Sequence, residues 1–460
     1  MYVCHNVTCI RSTGCQWLPF GPWFCRKIKG YIIMDNIKRF DIELEREYYY
    51  AGERAKGWVI VDVTENLKVR GVRVLLRGKA HVEWKITKGG ERRTVKEEQY
   101  FVDDKVVAWG KDKHEEGTIP IMPRGNHKFP FEFRLPESSL PCSFESKVGT
   151  IRYYLRVIID IPYASPPQGL KYFTIIGPRI DATSEAYLTP VNVIKSSSVC
   201  CNGLCCSSVP IQLEATLERT AYCSGEKIKL RAEVQNGSDA NVWLVCKLRQ
   251  HVEYKITKYS VLGLLKESVQ EVWKYKGPTV AAHHTTEFRH LEQHLQLPVL
   301  PPSLNDVCKL IEIYYVLRVS VEKEKSGEEL HVDLPIDVAT MPYKIANHPD
   351  PELKYEVSCP VVEGGMYISP EFQLGQVYDG SDHDHAHDII LYRRLKIFLE
   401  TLTNYNKKSL HIKSLVFIRL QSHEANQQPP VYVCIPTEQV QVSSCSNNHS
   451  QDGAAEMTSV

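Results

Sequence analysis

Clusters of cysteine and histidine, and one proline-tyrosine motif, are where this 460-residue chain could do chemistry. Cys200-Cys201-Asn202-Gly203-Leu204-Cys205-Cys206 sets two vicinal thiol pairs either side of three residues. Four thiolates can hold a soft metal, yet zinc sites space single ligands, and vicinal ligands crowd a tetrahedron. Cys200, Cys201, Cys205 and Cys206 fit S-acylation beside a membrane as a second chemistry. Small residues in a linker account for the same run more simply. Near the start, Cys4, His5, Cys9 and Cys15 match none of the common zinc spacings. Ser381–Asp388, SDHDHAHD, offers histidines and aspartates for weak capture of a divalent metal, or an ordinary solvated loop.

The sharpest short motif is Pro429-Pro430-Val431-Tyr432. Consecutive prolines preset the polyproline II conformation, so docking loses little backbone entropy. A proline ridge fits between the aromatics of a WW-type groove, and the tyrosine fills the next pocket. Pro429, Pro430 and Tyr432 are therefore the candidate binding residues. The competing reading places Tyr432 in a short strand, VYVCI.

Catalytic signatures are missing. The chain has no GxSxG, HExxH, GxxxxGK or GxGxxG, and we assign no catalytic residue, metal or cofactor. The formal net charge is +1, from 56 basic and 55 acidic residues, which argues against nucleic-acid binding by bulk charge. No apolar run reaches membrane-spanning length, so a soluble protein is expected. Outside the two clusters the cysteines stand singly, at Cys142, Cys246, Cys308 and Cys359 for example, without the pairing of a secreted disulfide framework. That usage suits the reducing cytosol.

The elements around these motifs are strands. Between Gly125 and Ile161, Phe129, Phe131, Phe133 and Leu135 alternate with polar residues. After a Pro-rich corner, Ile151, Tyr153, Leu155, Val157, Ile159 and Ile161 share one face. Period-two alternation marks half-buried strands. The chain repeats this order at 294–321, where Leu297-Pro298 answers Leu135-Pro136. Tyr153-Tyr154-Leu155-Arg156-Val157 answers Tyr314-Tyr315-Val316-Leu317-Arg318-Val319, with one residue inserted. Tyr50-Ala51-Gly52-Glu53 returns as Tyr222-Cys223-Ser224-Gly225-Glu226, and the run from His81 to Lys88 returns from His251 to Lys258. A repeat spaced by about 160–170 residues is a duplicated domain, since solenoid units are far shorter. In the first copy a strand from Val72 to Trp84 leads to a charged loop, KITKGGERRTVKEE, and then to more strand at 100–109. Strands separated by Gly and Pro turns, with almost no helical periodicity, predict two tandem antiparallel β-sandwiches.

Residues 1–33 read as an unstructured extension, with a first sandwich over 34–182. A Cys/Ser-rich hinge covers 183–208 and a second sandwich 209–342. The tail, 343–460, is expected to be mostly disordered around its PPxY motif. Within it, Leu395, Phe398, Leu399 and Leu402 have helical spacing and suit either an amphipathic helix or an insertion foreign to the tail.

In order, and twice, these residues resemble the arrestin-domain-containing proteins (α-arrestins) of the arrestin superfamily. The carriers are the YxxGE turn at Tyr49–Glu53, the strand Val72–Trp84, Phe-x-Phe-x-Leu-Pro with Ser143-Phe144-Glu145, Leu217-Glu218-Arg219 through Gly225-Glu226, Leu297–Leu304 and Thr340-Met341-Pro342. The resemblance implies two immunoglobulin-like sandwiches end to end and an adaptor without enzymatic activity. It implies cargo among the cytoplasmic regions of membrane receptors or transporters. Pro429, Pro430 and Tyr432 would recruit WW-domain, HECT-type ubiquitin ligases for endocytosis and endosomal sorting. The protein would be cytoplasmic, moving to plasma membrane and endosomes as a peripheral associate. The alternative is a structural subunit of an endosomal sorting complex that recruits no ligase. Family tails often hold two or more PPxY motifs; this one holds one, so avidity from a second site is missing.

Overall fold

The computed structural model describes residues 36–197, 211–372 and 429–436, apart from 139, 164–165, 259–262, 324–326, 346, 366 and 370–371. Residues 1–33, the Cys200–Cys206 run, Ser381–Asp388 and the 394–420 stretch, all singled out above, lie outside the described residues.

The first sandwich is built from β1 (Ile37–Leu44), β2 (Tyr48–Tyr49), β3 (Arg54–Val63), β4 (Leu67–Lys68), β5 (Gly71–Lys88), β6 (Glu91–Gly110), β7 (Ile121–Met122), β8 (Gly125–Arg134), β9 (Phe144–Glu145), β10 (Gly149–Asp160) and β11 (Gln168–Ile175). One sheet runs β1-β3-β8; the other runs β2-β11-β10-β5-β6, with β9 also on β10. The second sandwich contains β12 (Val191–Ser196), β13 (Ile211–Leu217), β14 (Ala221–Cys223), β15 (Leu230–Asn236), β16 (Val242–Ile256), β17 (Leu264–Val280), β18 (Thr285–Phe288), β19 (Ile311–Lys323) and β20 (Gly327–Ala339). Its sheets run β12-β13-β15-β18 and β14-β20-β19-β16-β17. The two larger orders superpose strand for strand, down to the short parallel pairings of β2 with β11 and of β14 with β20. Antiparallel sheets facing a core on one side require the alternation seen in the sequence. β10 obeys it from Ile151 on, every second residue to Ile159 being buried and those between them half-buried.

Two details correct the sequence reading. The charged stretch after Trp84 is no loop. β5 and β6 continue through it as one hairpin, paired from Gly71–Gly110 to Lys88–Glu91. Only Gly89 and Gly90 turn, with φ of 61° and 83°. A two-residue turn with both φ positive matches the right-handed strand twist, and glycine adopts it without strain. The repeat also aligns without an insertion at the paired tyrosines. Tyr153 Oη donates to the Pro141 carbonyl at 2.9 Å, and its counterpart, Tyr315, donates to the Pro301 carbonyl at 2.6 Å. Tyr153 therefore answers Tyr315, not Tyr314, and Leu155, Arg156 and Val157 answer Leu317, Arg318 and Val319.

The YxxGE turns recur as structure too. Glu53 accepts the Tyr50 amide at 2.8 Å, and Glu226 accepts the Cys223 amide at 2.8 Å. Each glutamate is braced by an arginine, Arg46 and Arg219 respectively. Each carboxylate replaces the hydrogen bond that an irregular turn denies the backbone.

Candidate functional site

The two sandwiches meet along a polar seam. Ser146 of the first bonds Tyr254 of the second, hydroxyl to hydroxyl, at 2.8 Å. Glu97 accepts the Thr257 amide at 2.7 Å, and Gln99 accepts the Lys309 amide at 2.9 Å. The link leaving the first sandwich closes on the end of β20, with Thr340 Oγ1 donating to the Pro178 carbonyl at 2.7 Å.

Tail residues lie across this seam. The described residues after Pro342 form β21 (Lys354–Val357), then an irregular run, and the PPxY region forms β22 (Val431–Cys434). β21 and β22 pair antiparallel, Lys354 to Cys434 through Val357 to Val431. The described parts of the tail are built into the body. β21 is fastened to the first sandwich, where Tyr355 stacks on Tyr48 with ring centroids 4.0 Å apart and meets the Tyr50 hydroxyl at 3.3 Å. β22 is fastened to the second, where the Ile435 amide donates to the Ser224 carbonyl at 2.9 Å.

Val362, Glu363, Gly364 and Gly365 fill the space between. Gln250 is wholly buried and pairs with the Glu363 backbone on both sides, Nε2 to the carbonyl at 3.1 Å and Oε1 from the amide at 2.8 Å. Nε2 also reaches the Tyr315 hydroxyl at 3.2 Å. Gly364 sits at φ 84°, and a Cβ there would lie 2.7 Å from the Phe144 ring and 2.8 Å from Pro301. Both the backbone conformation and the space require glycine. Further along, Ser369 contacts the ion pair of Arg152 with the fully buried Glu145, whose guanidinium–carboxylate contacts are 2.5 and 3.0 Å. Phe372 stacks on Tyr172 at 4.4 Å.

Tyr432 is the pin of this arrangement. Its side chain is 0% exposed. Its hydroxyl faces the Ser143 carbonyl of the first sandwich and the Gly364 carbonyl, each at 3.1 Å, so one proton is shared between two acceptors. Burial drives the phenol far above its ordinary ionisation range. Pro430 is buried and Pro429 half-buried. The structure places Pro429 and Pro430 just before β22 and Tyr432 within it, with the tyrosine in the protein's own interior. The strand reading of VYVCI describes this conformation.

Gln250, Gly364, Ser143 and the Glu145–Arg152 pair carry the clasp, and the sequence reading gave none of them a role. Gln250 had a legible signal: it is the polar residue on a face otherwise made of Leu244, Cys246, Leu248, Val252 and Tyr254. Gly364-Gly365 had another, a double glycine in a segment that otherwise lacked pattern.

Two duplicated sandwiches joined by a polar seam, with the described tail residues lying across it, define a two-domain β-sandwich body. Comparison with known proteins places it. The model of the arrestin (or S-antigen) N-terminal domain matches residues 39–182, and that of the arrestin C-terminal domain matches 207–343. The chain belongs to the arrestin superfamily and, within it, to the arrestin-domain-containing proteins. It is 29% identical to arrestin domain-containing protein 17 of Caenorhabditis elegans over 67% of this chain and 72% of that one. Identity to human arrestin domain-containing protein 4 is 28%, over 64% and 69%. Human thioredoxin-interacting protein is 23% identical over 67% and 76%.

Proposed function

We propose that this arrestin-fold adaptor links cytoplasmic regions of membrane receptors or transporters to WW-domain, HECT-type ubiquitin ligases, directing its cargo into endocytosis and endosomal sorting. It would work from the cytoplasm and reach plasma membrane and endosomes as a peripheral associate. The observation that supports the ligase half is the single Pro-Pro-x-Tyr motif, held where tail and body meet. The cargo half rests on family membership.

A second reading, a scaffold or sorting-complex subunit that recruits no ligase, is favoured by one fact: Tyr432 is 0% exposed, and a WW groove must take that side chain. Thioredoxin exchange, suggested by one relative's name, finds little support among the described cysteines. Cys142, Cys223, Cys246, Cys308 and Cys434 are buried, and Cys359 is half-buried. Such exchange needs an accessible thiolate.

Reconstitution with a HECT ligase and detergent-extracted receptors separates the readings. Ubiquitination of bound cargo that disappears with Tyr432→Ala supports the adaptor. Cargo binding with no ubiquitination above background in either chain supports the scaffold.

A further inference from the structure

We propose that β22 is a lock on its own motif: the seam and a WW domain compete for Pro429–Tyr432, so ligand binding requires β22 to peel off β21. This rests on the WW-binding reading above and adds a gate to it. A WW domain takes the prolines as an exposed polyproline ridge and the tyrosine as an inserted ring. Neither is on offer here. Tyr432 has no exposed surface, Pro430 is buried, and Val431–Cys434 are in strand conformation against Lys354–Val357.

The lock is built to open. A two-stranded ribbon is marginal by itself, so β21 and β22 persist only through their fastenings to the body. Among the described residues those fastenings are the Tyr355 stack on Tyr48 with its contact to the Tyr50 hydroxyl, the Ile435–Ser224 bond, the Tyr432 hydroxyl against Ser143 and Gly364, and the burial of Tyr432, Val433 and Cys434. The outer face of β21 is wet, with Lys354, Glu356 and Val357 exposed. Segments with short pairing and exposed backbone lie at the low end of local stability. The fastenings also join the two sandwiches, since Ser143 lies in the first and Ser224 in the second. Anything that parts the seam therefore frees the motif, and a WW domain that captures the motif loosens the seam. The two effects are one coupling free energy read from either end.

The test is titration of a tandem WW domain into the full-length chain, followed by binding and by amide exchange. Two variants open the lock from different sides without altering the motif. Tyr355→Ala removes the stack on Tyr48, and Gly364→Ala displaces the carbonyl that faces Tyr432. If the motif is free in fewer than about one molecule in ten, apparent affinity falls by the same fraction, so both variants bind at least tenfold more tightly than wild type. Adding Tyr432→Ala to either abolishes that binding. In wild type, saturating WW domain speeds exchange at the amides of residues 354–357 and at Ile435. Wild-type binding as tight as that of both variants, or bound WW domain with residues 354–357 still protected, overturns the lock and leaves ligase recruitment standing. No binding by any chain, with exchange in the variants showing β22 released, refutes the WW reading itself.

Discussion

Removing one oxygen atom tests whether Tyr432 pins the seam. In Tyr432→Phe the ring still fills its site, so the change isolates the hydroxyl that faces Ser143 and Gly364 at 3.1 Å. Gly364 keeps a second donor, since Ser358 Oγ reaches its carbonyl at 2.9 Å. The loss is therefore one shared hydrogen bond plus a Ser143 carbonyl left poorer in partners, about 1–2 kcal/mol. Tyr432→Ala would cost about 3–5 kcal/mol if the strand stayed in place around the cavity. It need not stay. Once the penalty exceeds the free energy of peeling β22 away, the segment opens locally and the global loss stops growing. Urea unfolding of the full chain should therefore show a clear loss for Phe. For Ala it should show a loss smaller than the cavity figure, with amide protection at residues 354–357 abolished. A Phe variant within about 0.3 kcal/mol of wild type would refute the pin, that being within the usual scatter of substitutions away from such features. So would an Ala variant that keeps protection at β21.

Three further outcomes follow from the fold. Tyr153→Phe and Tyr315→Phe break equivalent bonds to Pro141 and Pro301, each costing about 1 kcal/mol. Tyr315→Phe should cost more in urea unfolding, because it also deprives Gln250 of an acceptor. Burial pushes the Cys142 and Cys246 thiols up to about 12, so neither should react with a thiol reagent at pH 8 until the chain is unfolded. Reaction of either in the folded state would contradict the packing. The Arg318 fork, donating to Asp333 through Nε and Nη2 at 2.7 Å each, holds that carboxyl below its ordinary range. A depressed acid stabilises the fold above its unfolded pKa, and the stabilisation is lost as pH falls through the folded value. Wild type should therefore lose stability below about pH 4 more steeply than Arg318→Met, as followed by urea midpoints across pH.

The bodies of the two sandwiches were legible because alternation leaves little choice. Phe129, Phe131 and Phe133, or Ile311, Ile313 and Tyr315, can share one buried face only as strands. Duplication was legible for the same reason, since equivalent cores retain equivalent side chains. The hairpin tip was misread because Lys85, Lys88, Glu91 and Arg92 look like loop composition. A long two-stranded arm exposes both faces there and needs no apolar alternation. The clasp was illegible for a different reason. Its strands are four residues long, too short for periodicity, and its burial comes from residues far away in sequence. Tyr432 lies 289 positions from Ser143, so no local window around PPVY could reveal its surroundings.

The pairing of β21 with β22 closes a long stretch of chain between positions 357 and 431, and that closure has an evolutionary corollary. The entropy of closing a flexible loop grows only with the logarithm of its length, about 0.6 kcal/mol for each doubling. The described residues of 362–372 are tied into the seam, so added sequence between the two strands is expected to be tolerated only after Phe372, whereas one residue added within β22 ahead of Tyr432 would turn its ring to the opposite face.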